Sequence, residues 1–252
     1  MLLALTTLLF ASTTSATLIA RGNGLVYDTV ANITWLQDAN LAATNTFGVE
    51  GISAPVFGGI GQLGYMNWAE ANEFIVAMNA AEYLGFNSWR LPRMEDLGAP
   101  GCTGSPYGGG DCGFSPKTIV GGKVVSELGH MYYNNFGLKP QGRADGTPIA
   151  GWGLWGNGTI NGVDMSYFGE RDIGPFLNVV AYYYWDEQPG FIDGTAWTFE
   201  TATGAQATYY QDEKFYVWPV LDGEVPEPST LALAVLAAVI GRRLVKQPKA
   251  PC

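Results

Sequence analysis

Between residues 67 and 85 the apolar positions recur at helical spacing. Trp68, Ala71, Phe74 or Ile75, Met78 and Ala81 share one face, which marks a helix packed on a core. Asn67 stands where it can cap that helix, Glu70 falls where it completes a capping box, and Gly85 is placed as a left-handed stop. Elsewhere the period falls to two. In residues 24–42, Val26 and Tyr27, then Ile33, Thr34 and Trp35, are strand formers on either side of an Asp/Asn turn region, the pattern of a hairpin. Residues 196–201, 205–210 and 215–221 read as further strands, the second following a turn at Thr203 and Gly204. Within "SWRLPRMEDL", Pro92 forces Leu91 to be extended and can open a short second helix through Leu97. Trp89 and Leu91 are then left to plug the core between the two helices.

The two ends break this pattern. An apolar stretch over residues 2–11 runs into the small residues Thr14, Ser15 and Ala16, so residues 1–16 read as a signal peptide, although no Lys or Arg precedes the stretch. At the other end, residues 228–241 carry no charge and are followed by Arg242 and Arg243. As a helix this run spans about 21 Å, short of a hydrocarbon core of about 30 Å. Snorkelling arginine stems extend its reach past Gly241, so the run suits a transient membrane helix better than a permanent anchor. The chain therefore divides into a leader (1–16), one domain (17–223) and a tail (224–252).

Composition narrows the class of that domain. With 47% hydrophobic and 13% aromatic residues, disorder is excluded. Net charge is −10, and residues 21–224 hold 22 of the 23 acidic side chains but only 9 of the 13 basic ones, so nucleic acid is excluded as a partner. The remaining basic residues follow the apolar tail run, on the side expected to face the cytoplasm. Cys102 and Cys112 bracket a Gly/Pro-rich loop that reads as closed by a disulfide, worth about 2 to 3 kcal/mol on the chain-entropy model. Zinc is the alternative, and with one His and three Cys in the whole chain it lacks ligands. Cys252 stands alone on the cytoplasmic side of the tail and needs no partner.

The ordered elements "GLVYDTVANITWLQDAN", "NWAEANEFI", "SWRLPRMEDL", "YYYWDEQ", "AWTFETATGAQ" and "YVWPVLDG" resemble the DUF1566 family, also called the Lcl C-terminal domain, over residues 24–223. Separately, residues 225–243 resemble a PEP-CTERM sorting signal: Pro226, Glu227 and Pro228, an apolar segment, then Arg242 and Arg243. The tail departs from the usual pattern in being Ala-rich and in continuing to Cys252. The first resemblance implies an α+β, C-type-lectin-like fold, with two helices packed on twisted, mostly antiparallel strands and long loops. The second implies processing by an exosortase, a membrane enzyme of Gram-negative bacteria that make extracellular polysaccharide. The expected destination is the cell surface or the extracellular space.

Candidate chemistry is sparse. Asp186 and Glu187, or Glu170 and Asp172, are weighed as a glycosidase acid and base. Asp186 and Glu187 are adjacent on a strand and point to opposite faces, so solvated loop carboxylates are the favoured reading. His130 has no Cys, Ser or second His near it in sequence and reads as structural. In "GWGLWGNGTINGVDMSYFG", Trp152 and Trp155 are candidates for stacking on sugar rings. Calcium through Asp186, Glu187 and Asp193 is weighed as a cofactor, without an EF-hand spacing to support it. The expected function is a non-catalytic, exported binding or matrix module, with extracellular polysaccharide as a candidate partner. The alternatives are a secreted hydrolase and an oxidase of the formylglycine-generating type; the second needs reactive thiols that a structural Cys102–Cys112 disulfide would remove.

Overall fold

The computed structural model describes residues 18–53, 63–98, 111–114, 117–143, 145–154, 159–160, 163–164 and 170–226. The expected leader, Cys102, Trp155 and the tail from Glu227 onward, with Pro228, Arg242 and Arg243, lie outside them. Among the described residues no helix is long and apolar enough to cross a membrane.

The described residues form a mixed α+β structure with mostly antiparallel strands and two α-helices. Strands β1 (Leu18–Gly22), β2 (Leu25–Asp28) and β3 (Ile33–Leu36) form a meander, and the expected hairpin is its second half. Helix α1 (Trp68–Ala80) follows, then a ribbon of β4 (Ile119–Val120) and β5 (Lys123–Val124), and helix α2 (Glu127–His130). Next come the ribbons β6 (Thr159–Ile160) with β7 (Val163–Asp164) and β8 (Glu170–Ile173) with β9 (Phe176–Val180). Strands β10 (Tyr183–Pro189), β11 (Thr195–Glu200) and β12 (Ala205–Tyr210) make a three-stranded antiparallel sheet. The last strand, β13 (Val220–Asp222), returns to pair with β3, so the first sheet runs β1-β2-β3-β13. The two ends of the domain are thereby fastened together. Arg21 and Glu224 form an ion pair beside this closure.

The main aromatic core gathers residues of both larger sheets, and Trp197 packs in a second, smaller cluster with Met94 and Cys112. Trp35, Trp185, Trp197 and Trp218 are all essentially inaccessible. Trp218 meets Trp35 and Phe176 with ring centroids 4.9 Å apart, and its indole N–H donates to the Leu36 carbonyl. The Trp185 indole likewise donates to the Met66 carbonyl, so these two rings satisfy their polar ends on backbone, whereas the Trp35 indole N–H has no hydrogen-bond partner among the described residues. At the turn between β11 and β12, Gly204 has φ +81°, and a Cβ there would lie 2.6 Å from the Tyr132 ring. Only glycine fits.

Helix α1 starts as its sequence requires: Asn67 Oδ1 accepts from the Glu70 N–H while Glu70 accepts from the Asn67 N–H. Ala71, Phe74, Ile75 and Met78 are buried from it. Its end differs from expectation. The helix stops at Ala80, and Glu82 takes the left-handed conformation at φ 46°, three residues ahead of Gly85. A 3-10 turn over Tyr83–Gly85 carries the chain onward.

The expected second helix over residues 92–97 does not form. That segment is extended, because long-range partners take its backbone groups: Arg90 and Val220 exchange both hydrogen bonds, Glu95 N–H donates to the Val125 carbonyl, and Glu127 N–H donates to the Arg93 carbonyl. The second helix is α2, capped by Ser126, whose hydroxyl accepts from the Gly129 N–H, and continued by a wide π turn over Met131–Asn135. Trp89 and Leu91 are buried, each 2% exposed, but Trp89 is wedged against the end of α1 rather than between two helices. Asn79 clamps the Trp89 backbone at both N–H and C=O, and the Trp89 indole donates to the Tyr83 carbonyl.

Emptying this site by Trp89→Ala is expected to cost about 3 to 5 kcal/mol, the range for a buried aromatic. Chemical denaturation checks it; a loss well under 1 kcal/mol would contradict the packing.

Candidate functional site

The extended segment after Trp89 forms one wall of a cleft of about 780 Å³. The other walls are residues 30–33 between β2 and β3, residues 122–125 of the β4–β5 ribbon, and Asp222 and Gly223 at the end of β13. Its charged groups come from both sides of the chain's closure. Arg90 lies at the centre, its side chain only 10% exposed.

All five N–H donors of Arg90 are used. Nη1 and Nη2 each donate to one oxygen of Glu127 at 2.8 Å, Nη1 also donates to the Leu91 carbonyl, and Nε and Nη2 both donate to Asp222 Oδ1. Burial works against the charge on Arg90, but the hydrogen bonds and charges of Glu127 and then Asp222 outweigh it and push its pKa up. Asp222 is held below the usual carboxylate range, chiefly by its hydrogen bond from Arg90. Glu127 also accepts from the Arg93 backbone N–H, so α2 is fastened to the extended segment twice. Arg93 reaches outward, donating from Nε to Glu187 at 2.8 Å and from Nη1 to Asp222 at 3.3 Å. At the rim, Lys123 and Glu95 pair in solvent.

Such a cleft offers hydrogen-bonding groups already balanced in charge. Arg93, Asp222 and Lys123 keep exposed side chains, at 46%, 66% and 72%, that can meet a polar ligand. Glu187, one of the residues singled out in the sequence, reaches this network through Arg93. Of the others, Asp186, Asp193 and Trp152 do not join it. Asp186 is 1% exposed, which overturns its reading as a solvated loop carboxylate: it sits within β10, and neither of its oxygens has a hydrogen-bond partner. Burial first, and the Glu127 charge second, raise its pKa well above the ordinary value. Asp193 is exposed on the turn between β10 and β11, and among the described residues no group of three or more His, Cys, Asp or Glu is placed to hold a metal ion.

Trp152 is half-buried in its loop, with Leu154 buried two residues on. Asp172 accepts from the Asn178 N–H. His130 is buried beside Asp28, Nε2 to Oδ2 3.6 Å, and desolvation lowers its pKa. Cys112 is buried and disulfide-bonded. Comparison with family models, with curated proteins and with solved structures finds no match.

The motif around Arg90 is local in sequence, but its partners are not. Glu127 and Asp222 stand 37 and 132 residues away, and no local pattern announces them.

A second buried carboxyl lies outside the cleft. Glu200, 3% exposed, has a pKa raised from 4.5 to about 7, mainly by burial, while Thr203 donates to its Oε2. A carboxyl raised in the folded state contributes stability below its unfolded pKa, and that contribution is lost as pH rises through the folded value. Wild-type stability is therefore expected to fall between about pH 4.5 and about pH 7, and Glu200→Gln to flatten that fall. Unfolding midpoints across this range check it; an unchanged slope in the variant would contradict it.

Proposed function

We propose that this chain is an exported, exosortase-processed surface or extracellular-matrix protein of a Gram-negative bacterium. Its domain is then a DUF1566-type, C-type-lectin-like binding module without catalytic activity. The mixed α+β architecture supports the fold assignment, and the order Pro226, Glu227, Pro228, apolar run, Arg242, Arg243 supports the sorting assignment. One observation carries the non-catalytic reading: the Arg90 guanidinium ties up Glu127 and Asp222, Arg93 ties up Glu187, and Asp186 is sealed away from solvent. A glycosidase needs two carboxyls facing one bond across a gap that admits substrate, and carboxylates closed in ion pairs do not supply them. A disulfide joining Cys112 to Cys102 removes the thiols that a formylglycine-type oxidase requires.

The exposed donors and acceptors of the cleft suit a hydroxyl-rich chain, and extracellular polysaccharide is the proposed ligand. Incubating the purified mature protein with the host polysaccharide is expected to give co-sedimentation and no new reducing ends. New reducing ends would assign a hydrolase instead.

Sorting has its own test. In an exosortase-positive host the protein is expected to lose its tail, and replacing Pro226, Glu227 and Pro228 together to leave full-length protein in the membrane fraction. Identical size and location in the exosortase deletion strain would contradict the assignment.

A further inference from the structure

A band of tyrosines runs from the β10–β12 sheet, which supplies Tyr183 and Tyr209, to Tyr182 just before β10 and Tyr65 just before α1, away from the cleft. Tyr182 and Tyr183 lie with ring centroids 5.1 Å apart, Tyr183 and Tyr209 at 4.8 Å, and Tyr65 continues the row 6.1 Å beyond Tyr182. All four are half-buried, and none lines the cleft. Phe215, 3% exposed, packs beneath three of them, so the rings rest on the core and keep an outer surface.

Their hydroxyls are fixed as well. Tyr209 Oη donates to Tyr183 Oη at 2.9 Å, and the hydroxyls of Tyr65 and Tyr182 hydrogen-bond each other. Behind Tyr183 lies Glu200, which Tyr183 approaches; the buried Oε1 of that carboxyl makes no hydrogen bond of normal geometry. The charge of Glu213 bears on Tyr65, Tyr182 and Tyr209.

We propose that Tyr65, Tyr182, Tyr183 and Tyr209 form a second contact surface, for a neutral pyranose polysaccharide. The inference rests on the reading of the chain as a polysaccharide-binding protein, and it names a surface and a ligand class for that reading. Flat aromatic faces accept the C–H side of a sugar ring, and phenol hydroxyls beside them exchange hydrogen bonds with sugar hydroxyls. Because packing and hydrogen bonds already hold the rings, little side-chain freedom is lost on binding. The charge of Glu213 beside three of the rings selects against uronates and phosphorylated chains.

The test uses the processed protein purified from its exporting host, with hydroxyethyl cellulose as a neutral probe and polygalacturonate as an anionic one. Wild-type protein is expected to bind the neutral probe and not the anionic one. Tyr209→Ala and Tyr65→Ala are expected to weaken that binding about tenfold in protein that still unfolds cooperatively, and Tyr209→Phe, which keeps the ring, to weaken it less. A measurement on the wild type alone avoids the risk of misfolded variants. Tetranitromethane modifies accessible tyrosines, and excess hydroxyethyl cellulose is expected to protect Tyr183 and Tyr209 while leaving Tyr210, 63% exposed, modified as before. Unchanged nitration of Tyr183 and Tyr209, or equal binding of the two probes, overturns the proposal. If host polysaccharide still binds in those cases, the binding-module reading survives; if it does not, both fall.

Discussion

Arg90 is a guanidinium removed from water, and its surroundings are organised to make that tolerable. Desolvating an ion costs several kcal/mol, so a buried arginine persists only where every donor finds an acceptor and opposite charge stands close. Here the bidentate contact to Glu127 supplies most of the compensation, since that carboxylate is itself nearly buried. Asp222 contributes less per contact, because its side chain is 66% exposed and water screens it. One side chain thus joins three segments far apart in sequence: the strand-like stretch after α1, the first turn of α2, and the closing strand β13. The backbone bridge between Arg90 and Val220 runs in parallel with the side-chain contacts and fixes the same join.

The cleft follows from that join. Arg90 joins two of its walls, the segment after Trp89 and the end of β13, and Val30, Ile33, Met94 and Val125 add apolar side chains around the ion network. Closing the network also decides what the cleft offers. Glu127 is spent on Arg90, and Glu187 on Arg93, while Lys123 and the outer oxygen of Asp222 face solvent. Asp186 is adjacent to Glu187 in sequence, yet it lies on the inner side of β10, where burial first and the Glu127 charge second favour its neutral form. Neighbours along a strand have been given opposite environments, as pleating requires.

Legibility in the sequence tracked the range of the interactions. Helix α1, its capping box and the β2–β3 hairpin are local, and the residues that fix them lie within a few positions of one another. The stretch after Pro92 was misleading because proline suits the first turn of a helix, whereas the partners that hold it extended, Val220 and Val125, are remote. Glu82 ends α1 before Gly85 despite carrying a Cβ, and no local signal separates these two stops. The cleft was less legible still: Arg90 belonged to a recognisable motif, but its role appears only once Glu127 and Asp222 are brought to it. The same holds for the tyrosine band, whose members come from positions 65, 182, 183 and 209 and show no spacing that marks a common face.

The fold therefore depends on the coupling between Arg90 and Glu127, and a double-mutant cycle of Arg90→Met and Glu127→Leu measures it most directly. Each single substitution strands a buried charge and is expected to cost about 3 to 5 kcal/mol, whereas the double variant removes both charges and is expected to lose far less than the sum. Losses that add to within about 0.5 kcal/mol would show that the pair is not coupled and that the fold does not depend on it.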